Sequence, residues 1–555
     1  MSKFWTVAWA LSLSWAWILP NYNLPWIAFH KDAWLALNLL LAAFVLIARD
    51  DGPTPWYPLS IVTAALVLVP GFQWWLGMIA FEGTAWVSAA YLLGLLLSML
   101  TGAKWARRNA NELADSLFIA IGLAATLSVA IAVYQWLDMT GIGYWVLAPS
   151  EDRRAFANLA QPNQLGTFLI WGLLACTWTF SRGYIRGPVA ILWALYLLTG
   201  IALTQSRTSW LVLAVLACSF WYWRKLWSVR HMAWIVSGLA AYFFAVNLVL
   251  EPLARNLYLG ETMNLFHKSI ESRPAIWRMM LDASLQHPWI GYGWNQVPLA
   301  QIAVAANHPG TRGMSVAHSH NLILDLALYM GWPIALLVTA AVLGWVGLQL
   351  KRIKVSGDLV LVLFVVSVGI HAMLELPLHY GYMLLPTGLV IGMLDIRNAV
   401  ARARFSSKWH YAGICLAAAA LLGGIIRDYL LVEANFQAYR FEKARIGTLA
   451  PRPTPQVWLL TQHREILRMG RTEFGRGMTQ EQLDTMRKVT ETYPSVSNLY
   501  LLALALGLNN HGEEAQTWLN KVCYIVPADH CAIAKHAWKD AQQTYPELAP
   551  INGPQ

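Results

Sequence analysis

Charged residues are scarce in this chain. Asp, Glu, Lys and Arg make up 13% of its 555 residues, against about 25% in a soluble globular domain, which excludes an ordinary soluble fold. Cysteine is nearly absent: there are five, with no CxxC pair and no zinc-type spacing, so ribbon, finger and thioredoxin-like sites are excluded. Cys176, Cys218 and Cys415 lie in apolar runs and read as buried thiols. Cys523 and Cys531 lie in a polar tail, where a disulfide requires that the tail be outside the cytoplasm. Clustered acids suited to Mg2+ are missing, as is any DxD motif. After the apolar run Met1 to Leu19 there is no small-residue cleavage site, only Pro20-Asn21-Tyr22-Asn23, so the run reads as a first transmembrane helix.

What is abundant is apolar and aromatic. Hydrophobic residues make up 57% and there are 30 Trp, which fits the aromatic belts of a polytopic membrane protein. Apolar windows at about 4–19, 34–48, 58–70, 84–102, 112–137, 162–180, 188–204, 209–223, 232–250, 322–350, 358–376, 383–397 and 409–426 predict an all-α fold with about 13 transmembrane helices. The net charge of +10 does not indicate nucleic acid, because the basic residues cluster in short segments between apolar runs, where they set topology and meet anionic lipid. With Lys3 inside, the cytoplasmic segments hold Arg49, Lys104, Arg107, Arg108, Arg182, Arg186, Arg224, Lys225, Arg230, Lys351, Arg352, Lys354, Arg397, Arg402, Arg404 and Lys408. The short outer loops hold only Lys31, Arg153, Arg154 and Arg207. This asymmetry puts the N-terminus in the cytoplasm. The long loop at about 251–320 and the tail then lie outside, in the bacterial periplasm. The expected division is a transmembrane domain over 1–427 and a helical domain over 428–555. The stretch from Leu501 to Pro527 resembles one tetratricopeptide unit, with its turn at Asn510 and Gly512.

Polar candidates gather on the outer side. Arg207, in Thr204-Gln205-Ser206-Arg207-Thr208-Ser209, stands where two apolar runs meet with almost no loop. It either snorkels to the headgroups or grips a lipid-linked phosphate bidentately. Arg273 either pairs with Glu271 or Asp282 on a surface or, with Arg153 and Arg154, builds a diphosphate clamp; Ser272 is a candidate cap for a helix through Leu285. His318 and His320 alternate in an extended segment, so only one is expected to face a given site. Asn321 is a good N-cap that would fix His320 at a helix start. Asn158, Gln161 and Gln164 either hydrogen-bond sugar hydroxyls or cap a helix. Glu375, Tyr380 and Tyr382 offer a carboxylate and two phenols, or an interfacial anchor.

Several of these pieces together resemble the O-antigen ligase (WaaL) and O-antigen polymerase (Wzy) superfamily, specifically the PglL/PilO-type bacterial O-oligosaccharyltransferases. They are Asn158-Leu-Ala-Gln-Pro-Asn-Gln164, Ser206-Arg207, Ser272-Arg273 with Trp277, Pro288-Trp-Ile-Gly-Tyr-Gly-Trp294, His318-Ser-His-Asn321 with Gly331, and Glu375-Leu-Pro377 with Tyr380 and Tyr382. The helical tail resembles the second C-terminal module of the PglL branch. The resemblance implies a GT-C-like glycosyltransferase of the inner membrane. It would carry a glycan from undecaprenyl diphosphate to a Ser or Thr hydroxyl of a periplasmic protein such as a pilin, with no cofactor. It also implies roles. His320 would be the essential histidine, with His318 as a rival, and Arg207 and Arg273 would bind the diphosphate. Gln161, Gln164, Tyr380 and Tyr382 match less distinctive positions. The chemistry agrees: a polyprenyl diphosphate is already a good leaving group, so guanidinium charge and one neutral histidine suffice. Gln73-Trp74-Trp75-Leu76-Gly77 lacks the acid of the WWDxG stretch in metal-dependent N-oligosaccharyltransferases. A metal-independent, inverting transfer is therefore expected.

Other readings remain. Within the superfamily, the acceptor would be lipid A-core or another O-antigen repeat. From a different class, a lipid-linked oligosaccharide transporter also fits many spans, although transporters usually show repeats and charged or broken helices at the midplane.

Overall fold

A computed structural model describes residues 3–149, 153–227, 231–257, 259, 272–398, 401–447 and 452–554. Arg230, Glu271 and the Ser272 side chain, all invoked above, lie outside the described residues, as does part of the 251–320 loop. The chain forms two compact units. One comprises Met1–Ala64, Tyr91–His267 and Ala341–Leu422; the other comprises Ala65–Ala90, Lys268–Ala340 and Gly423–Gln555.

The protein is mostly helical. The N-terminal helices are α1 (Lys3–Ile18), α2 (Phe29–Arg49), α3 (Pro58–Trp75) and α4 (Glu82–Trp136). Then come α5 (Pro162–Ser181), α6 (Gly187–Leu203), α7 (Arg207–Tyr222), α8 (Met232–Asn256), α9 (Ser272–Gln286) and α10 (Val297–Val304). They are followed by α11 (Leu322–Met330), α12 (Trp332–Lys351), α13 (Ser356–Ala372), α14 (Gly381–Asn398) and α15 (Lys408–Lys443). The tail holds α16 (Thr461–Arg471), α17 (Gln480–Thr492), α18 (Val496–Leu508), α19 (Gly512–Ile525) and α20 (Ala528–Thr544). Two short strands, β1 (Thr54–Trp56) and β2 (Arg404–Ser406), pair antiparallel with Pro55 opposite Phe405. Among the described residues, α2, α3, α4, α8, α12 and α15 are long and apolar enough to cross a membrane, and shorter apolar helices such as α1, α6 and α13 accompany them.

The windows 84–102 and 112–137 are two helices that meet at a kink within the α4 span: Asn109, between them, leaves the helical region (φ −160°, ψ 92°). Two expected boundaries differ. The window 322–350 is two helices, because Gly331 takes φ +78° between α11 and α12, a conformation open chiefly to glycine. The window 409–426 is only part of the 36-residue α15, which runs on without a break to Lys443.

Small residues let helices close on one another in the first unit. A Cβ on Gly102 would lie 2.2 Å from the Leu389 carbonyl oxygen, and one on Gly392 would lie 2.0 Å from that of Met99, so α4 and α14 meet backbone to backbone. Aromatics fill the rest. Trp171 stacks on Phe364 at 4.0 Å and Trp17 on Phe168 at 5.1 Å. Trp9, Trp17, Trp105, Trp171 and Trp178 are all buried, so part of the tryptophan content is core packing and not interfacial belt.

In the second unit, α9, α10 and α11 share a core of Ile276, Met279, Met280, Val304, Leu324 and Leu328. The tail closes its own core around Leu499, Leu502, Trp518, Leu519 and Trp538. Helices α18 and α19 pack together through a turn at Asn510 (φ +65°), and Cys523 and Cys531 form a disulfide that ties α19 to α20. Where the composition turns polar, the fully buried Asp428 accepts hydrogen bonds from the amides of Trp458, Leu459 and Leu460.

Candidate active site

In the first unit, the start of α5, the end of α6 and the start of α7 come together. Gln161 caps α5, its side-chain oxygen accepting from the Gln164 amide at 2.7 Å, and Pro162 occupies the first turn. Ser206 caps α7 in the same way through the Ser209 amide, which places Arg207 at the first helical position. A Cβ on Gly166 would lie 2.0 Å from Ser209 Oγ, so the first turns of α5 and α7 touch. Arg154 donates through Nε to the Thr204 carbonyl at 3.1 Å, which brings its guanidinium to the same α6–α7 junction as Arg207. Arg153 pairs with Asp138 at 3.4 Å. Asn158 is fully buried: its amide donates to the carbonyls of Ile18 and Trp145 and accepts from the Leu147 amide. Its hydrogen bonds to backbone tie this loop to the end of α1. Gln164 Oε1 is buried and has no hydrogen-bond partner among the described residues.

The loop between α13 and α14 belongs to the same unit. Glu375 accepts from Asn163 Nδ2 at 3.2 Å, and one turn deeper Thr167 and His371 are bonded at 2.9 Å. Tyr380 and Tyr382 pack with ring centroids 5.2 Å apart. Burial, with Tyr22, Asp32 and Glu375 nearby, pushes the Tyr380 phenol up to about 12, so it stays a neutral donor at any physiological pH. The Tyr382 amide donates to Asp32 Oδ1 at 3.0 Å, and the other oxygen of Asp32 accepts from Tyr91 at 2.6 Å. Asp32 and His371 were not singled out from the sequence. For His371 the signal was there, since an ionisable residue inside the apolar window 358–376 is costly and needs a reason; Asp32 lies just ahead of the window 34–48 and gave none.

In the second unit, the loop that carries the histidines is fixed from both sides. Gln301, fully buried on α10, accepts from the Val316 amide at 2.9 Å. Ser319 donates its amide to Asp325 at 2.7 Å and its hydroxyl to the Asn321 carbonyl at 2.9 Å. Asn321 caps α11, accepting from the amides of Ile323 and Leu324 at 3.1 and 3.2 Å. The expected cap is therefore present. The expected alternation is not: His320 takes φ +59°, and the rings of His318 and His320 meet edge to face with centroids 4.1 Å apart. An extended strand would have sent them to opposite sides; the left-handed residue turns them to the same one. Arg273 stands in the first turn of α9 and is half-buried. Asp282, one of its two suggested partners, is bonded to His308 at 2.8 Å.

Behind this loop lies the Pro288–Trp294 turn. Gly291 (φ +69°) and Gly331 (φ +78°) lie in the left-handed region; added Cβ atoms would sit 2.4 Å from the Leu328 oxygen and 2.3 Å from the Trp289 carbonyl carbon. The Tyr292 amide donates to the Leu328 carbonyl, and the Trp332 amide to that of Pro288. Gln73 locks the pair, donating to the Tyr329 carbonyl at 2.7 Å and accepting from the Trp294 amide at 2.9 Å. The first unit thus carries Arg153, Arg154, Asn158, Gln161, Gln164, Arg207, Tyr380 and Tyr382, and the second carries Arg273, His318 and His320. Among the described residues, no group of three or more His, Cys, Asp or Glu side chains is gathered as a metal site.

Comparisons with known proteins bear on what this arrangement does. Residues 190–339 match the family described as O-antigen ligase, and residues 359–541 match that described as the C-terminal part of a virulence factor membrane-bound polymerase. The chain is 30% identical over 536 residues, covering 92% of it and 91% of the relative, to a general O-oligosaccharyltransferase of Acinetobacter baylyi. It is 28% identical over 392 residues, 69% of each chain, to a ComP-specific O-oligosaccharyltransferase of the same organism. With likeness running the length of both proteins, the chain belongs to the PglL-type O-oligosaccharyltransferases of the O-antigen ligase superfamily, and it is a membrane-bound glycosyltransferase.

Proposed function

We propose that the protein transfers a glycan from undecaprenyl diphosphate to a Ser or Thr hydroxyl of a periplasmic protein such as a pilin. In this reading about 13 helices cross the bacterial inner membrane in a GT-C-like arrangement over 1–427. The N-terminus is cytoplasmic, and the loop at 251–320 and the tetratricopeptide-like domain at 428–555 are periplasmic. The Cys523–Cys531 disulfide supports an oxidising compartment for the tail.

His320 is the general base. It takes the proton of the acceptor hydroxyl as that oxygen bonds to the anomeric carbon; the bond from that carbon to the diphosphate oxygen breaks, and the configuration inverts. Arg207 and Arg273 hold the diphosphate and receive the charge that develops on it. Arg154, at the α6–α7 junction, adds to them. Arg153, paired with Asp138, acts at longer range. Gln161, Gln164, Tyr380, Tyr382 and His318 position the sugar or acceptor, and Asn158 shapes the loop from below. No metal or cofactor takes part. The observation that carries this reading is the histidine turn, which the Asn321 cap and Asp325 hold at the start of α11.

The test is transfer in vitro from an outer-leaflet lipid-linked glycan, with pilin and lipid A-core offered side by side. Label on pilin is expected. Replacing His320 with Ala should lower the rate by about 10²–10⁴-fold, the usual worth of a general base, while His318→Ala should cost far less. Label on lipid A-core alone would assign the protein to the ligases, and a His320→Ala protein with normal transfer would remove the base.

A further inference from the structure

An apolar cavity of about 320 Å³ lies in the first unit among α5, α6, α7 and α8, lined by Leu173, Leu198, Trp210, Ala217, Ala240 and Phe243 among others. We infer that this cavity holds the isoprene units of the lipid donor nearest its diphosphate. The inference rests on the donor reading above and adds to it a place for the chain.

Three observations support it. The first is helical register. On α7, residues 207, 210, 214 and 217 recur at the spacing of a single helix face. Trp210, Ala214 and Ala217 line the cavity, and Arg207 tops the same stripe. Side chains on a helix tilt toward its N-terminus, so the guanidinium reaches past the end of α7 while the cavity runs below it. From Arg207 to Phe220, the deepest lining residue of α7, the helix descends about 20 Å.

The second is chemistry. Three of the lining side chains carry polar atoms. Two are satisfied within the wall: Thr177 Oγ1 donates to the Leu173 carbonyl at 2.8 Å, and Cys176 Sγ to that of Ala190 at 3.3 Å. The third is the Trp210 indole. A polar occupant would meet at most that one N–H donor and would pay a desolvation penalty, whereas a hydrocarbon loses nothing. The third is access. Ala214 and Ala240 are small and exposed, so the cavity is open at its side between α7 and α8, where a chain can enter laterally from the bilayer. A cationic head site and an apolar channel stacked on one helix fit an amphiphile with a diphosphate joined directly to a hydrocarbon. A bulk phospholipid acyl chain could fill the cavity too, and the test separates the two.

Full-length protein in nanodiscs would be assayed with the same glycan diphosphate on an undecaprenyl or a geranyl chain. The variants Ala217→Trp and Ala240→Trp fill the cavity, and Leu192→Trp on the exposed outside of α6 is the control. Lost burial of a few methylenes should raise KM about tenfold for both donors, because a geranyl chain consists of the two isoprenes nearest the diphosphate, and should leave kcat little changed. The control should match wild type. If the filled variants keep the wild-type KM for the geranyl donor, whatever they do to the undecaprenyl donor, the inference is overturned while the donor reading stands. If wild type uses neither donor, the donor reading itself fails and takes the inference with it. Should the Trp variants misfold, a wild-type crosslink decides. A photoreactive group on the first isoprenes should label the peptides holding 210–220 and 236–244, and labelling only at outward-facing positions such as Leu192 overturns the inference.

Discussion

His320 is a residue whose backbone is as informative as its ring. A non-glycine residue at φ +59° is uncommon, and such strain persists where the surroundings hold it in place. Here the holding groups are the Ser319 bonds and the Asn321 cap. Removing the cap with Asn321→Ala should cost about 0.5–2 kcal/mol of stability and should lower kcat more than it raises KM, because the imidazole loses its aim while the diphosphate grips remain; steady-state kinetics at two donor concentrations reads the split. The cap was legible in the sequence, since Asn before an apolar helix has one obvious use. The pairing of the two rings was not, because alternation assumes an extended chain and one left-handed residue cancels it. Asn158 makes the same point from the other side: an amide in a polar loop looks available to a sugar, yet its bonds run to Ile18, Trp145 and Leu147.

Among elements, breaks were harder to read than helices. Each apolar window falls on helix, since length and hydropathy suffice for that. The split at Gly331 was hidden because the apolar run continues through it, and only the backbone of the neighbouring turn shows why a glycine is needed. In the tail, the 501–515 turn was plain from Asn510 and Gly512, and α18 and α19 flank it. Two predictions belong here. Cys523 and Cys531 close a short loop, and a chain-entropy estimate gives the crosslink about 2.5 kcal/mol; reduction should lower the thermal midpoint of the tail accordingly. On α16, His463 is buried and its Nδ1 has no hydrogen-bond partner among the described residues, and burial pushes its pKa down to about 4. The folded state therefore holds the neutral ring, whereas the unfolded chain takes up a proton near pH 6.5. Stability from this site is complete above about pH 6.5 and falls as pH drops, by about 3 kcal/mol at pH 4. Denaturant melts from pH 7 to 4 should show that slope, and His463→Leu should flatten it.

For the whole molecule, composition settled the class and chemistry the rest. Low charge and many apolar runs sufficed for a helical membrane protein, and the ordered motifs from about 150 to 395 sufficed for the family. What no window could show is that the proposed machinery is divided, with Arg207 and Arg154 in one compact unit and Arg273 and His320 in the other, because unit membership depends on contacts far apart in the chain. Transfer by fixed guanidiniums and an imidazole predicts that prolonged EDTA treatment leaves the rate unchanged; a loss restored by Mn2+ or Mg2+ would refute that mechanism. The Pro288–Trp294 turn and the α11–α12 break carry a consequence for anyone recombining these enzymes. Each contributes a glycine onto which the other's main chain closes, and Gln73 bridges both. A chimaera that imports one segment without the other should express poorly, whereas exchanging 288–294, 328–332 and Gln73 as a single cassette should preserve the scaffold beneath the histidines.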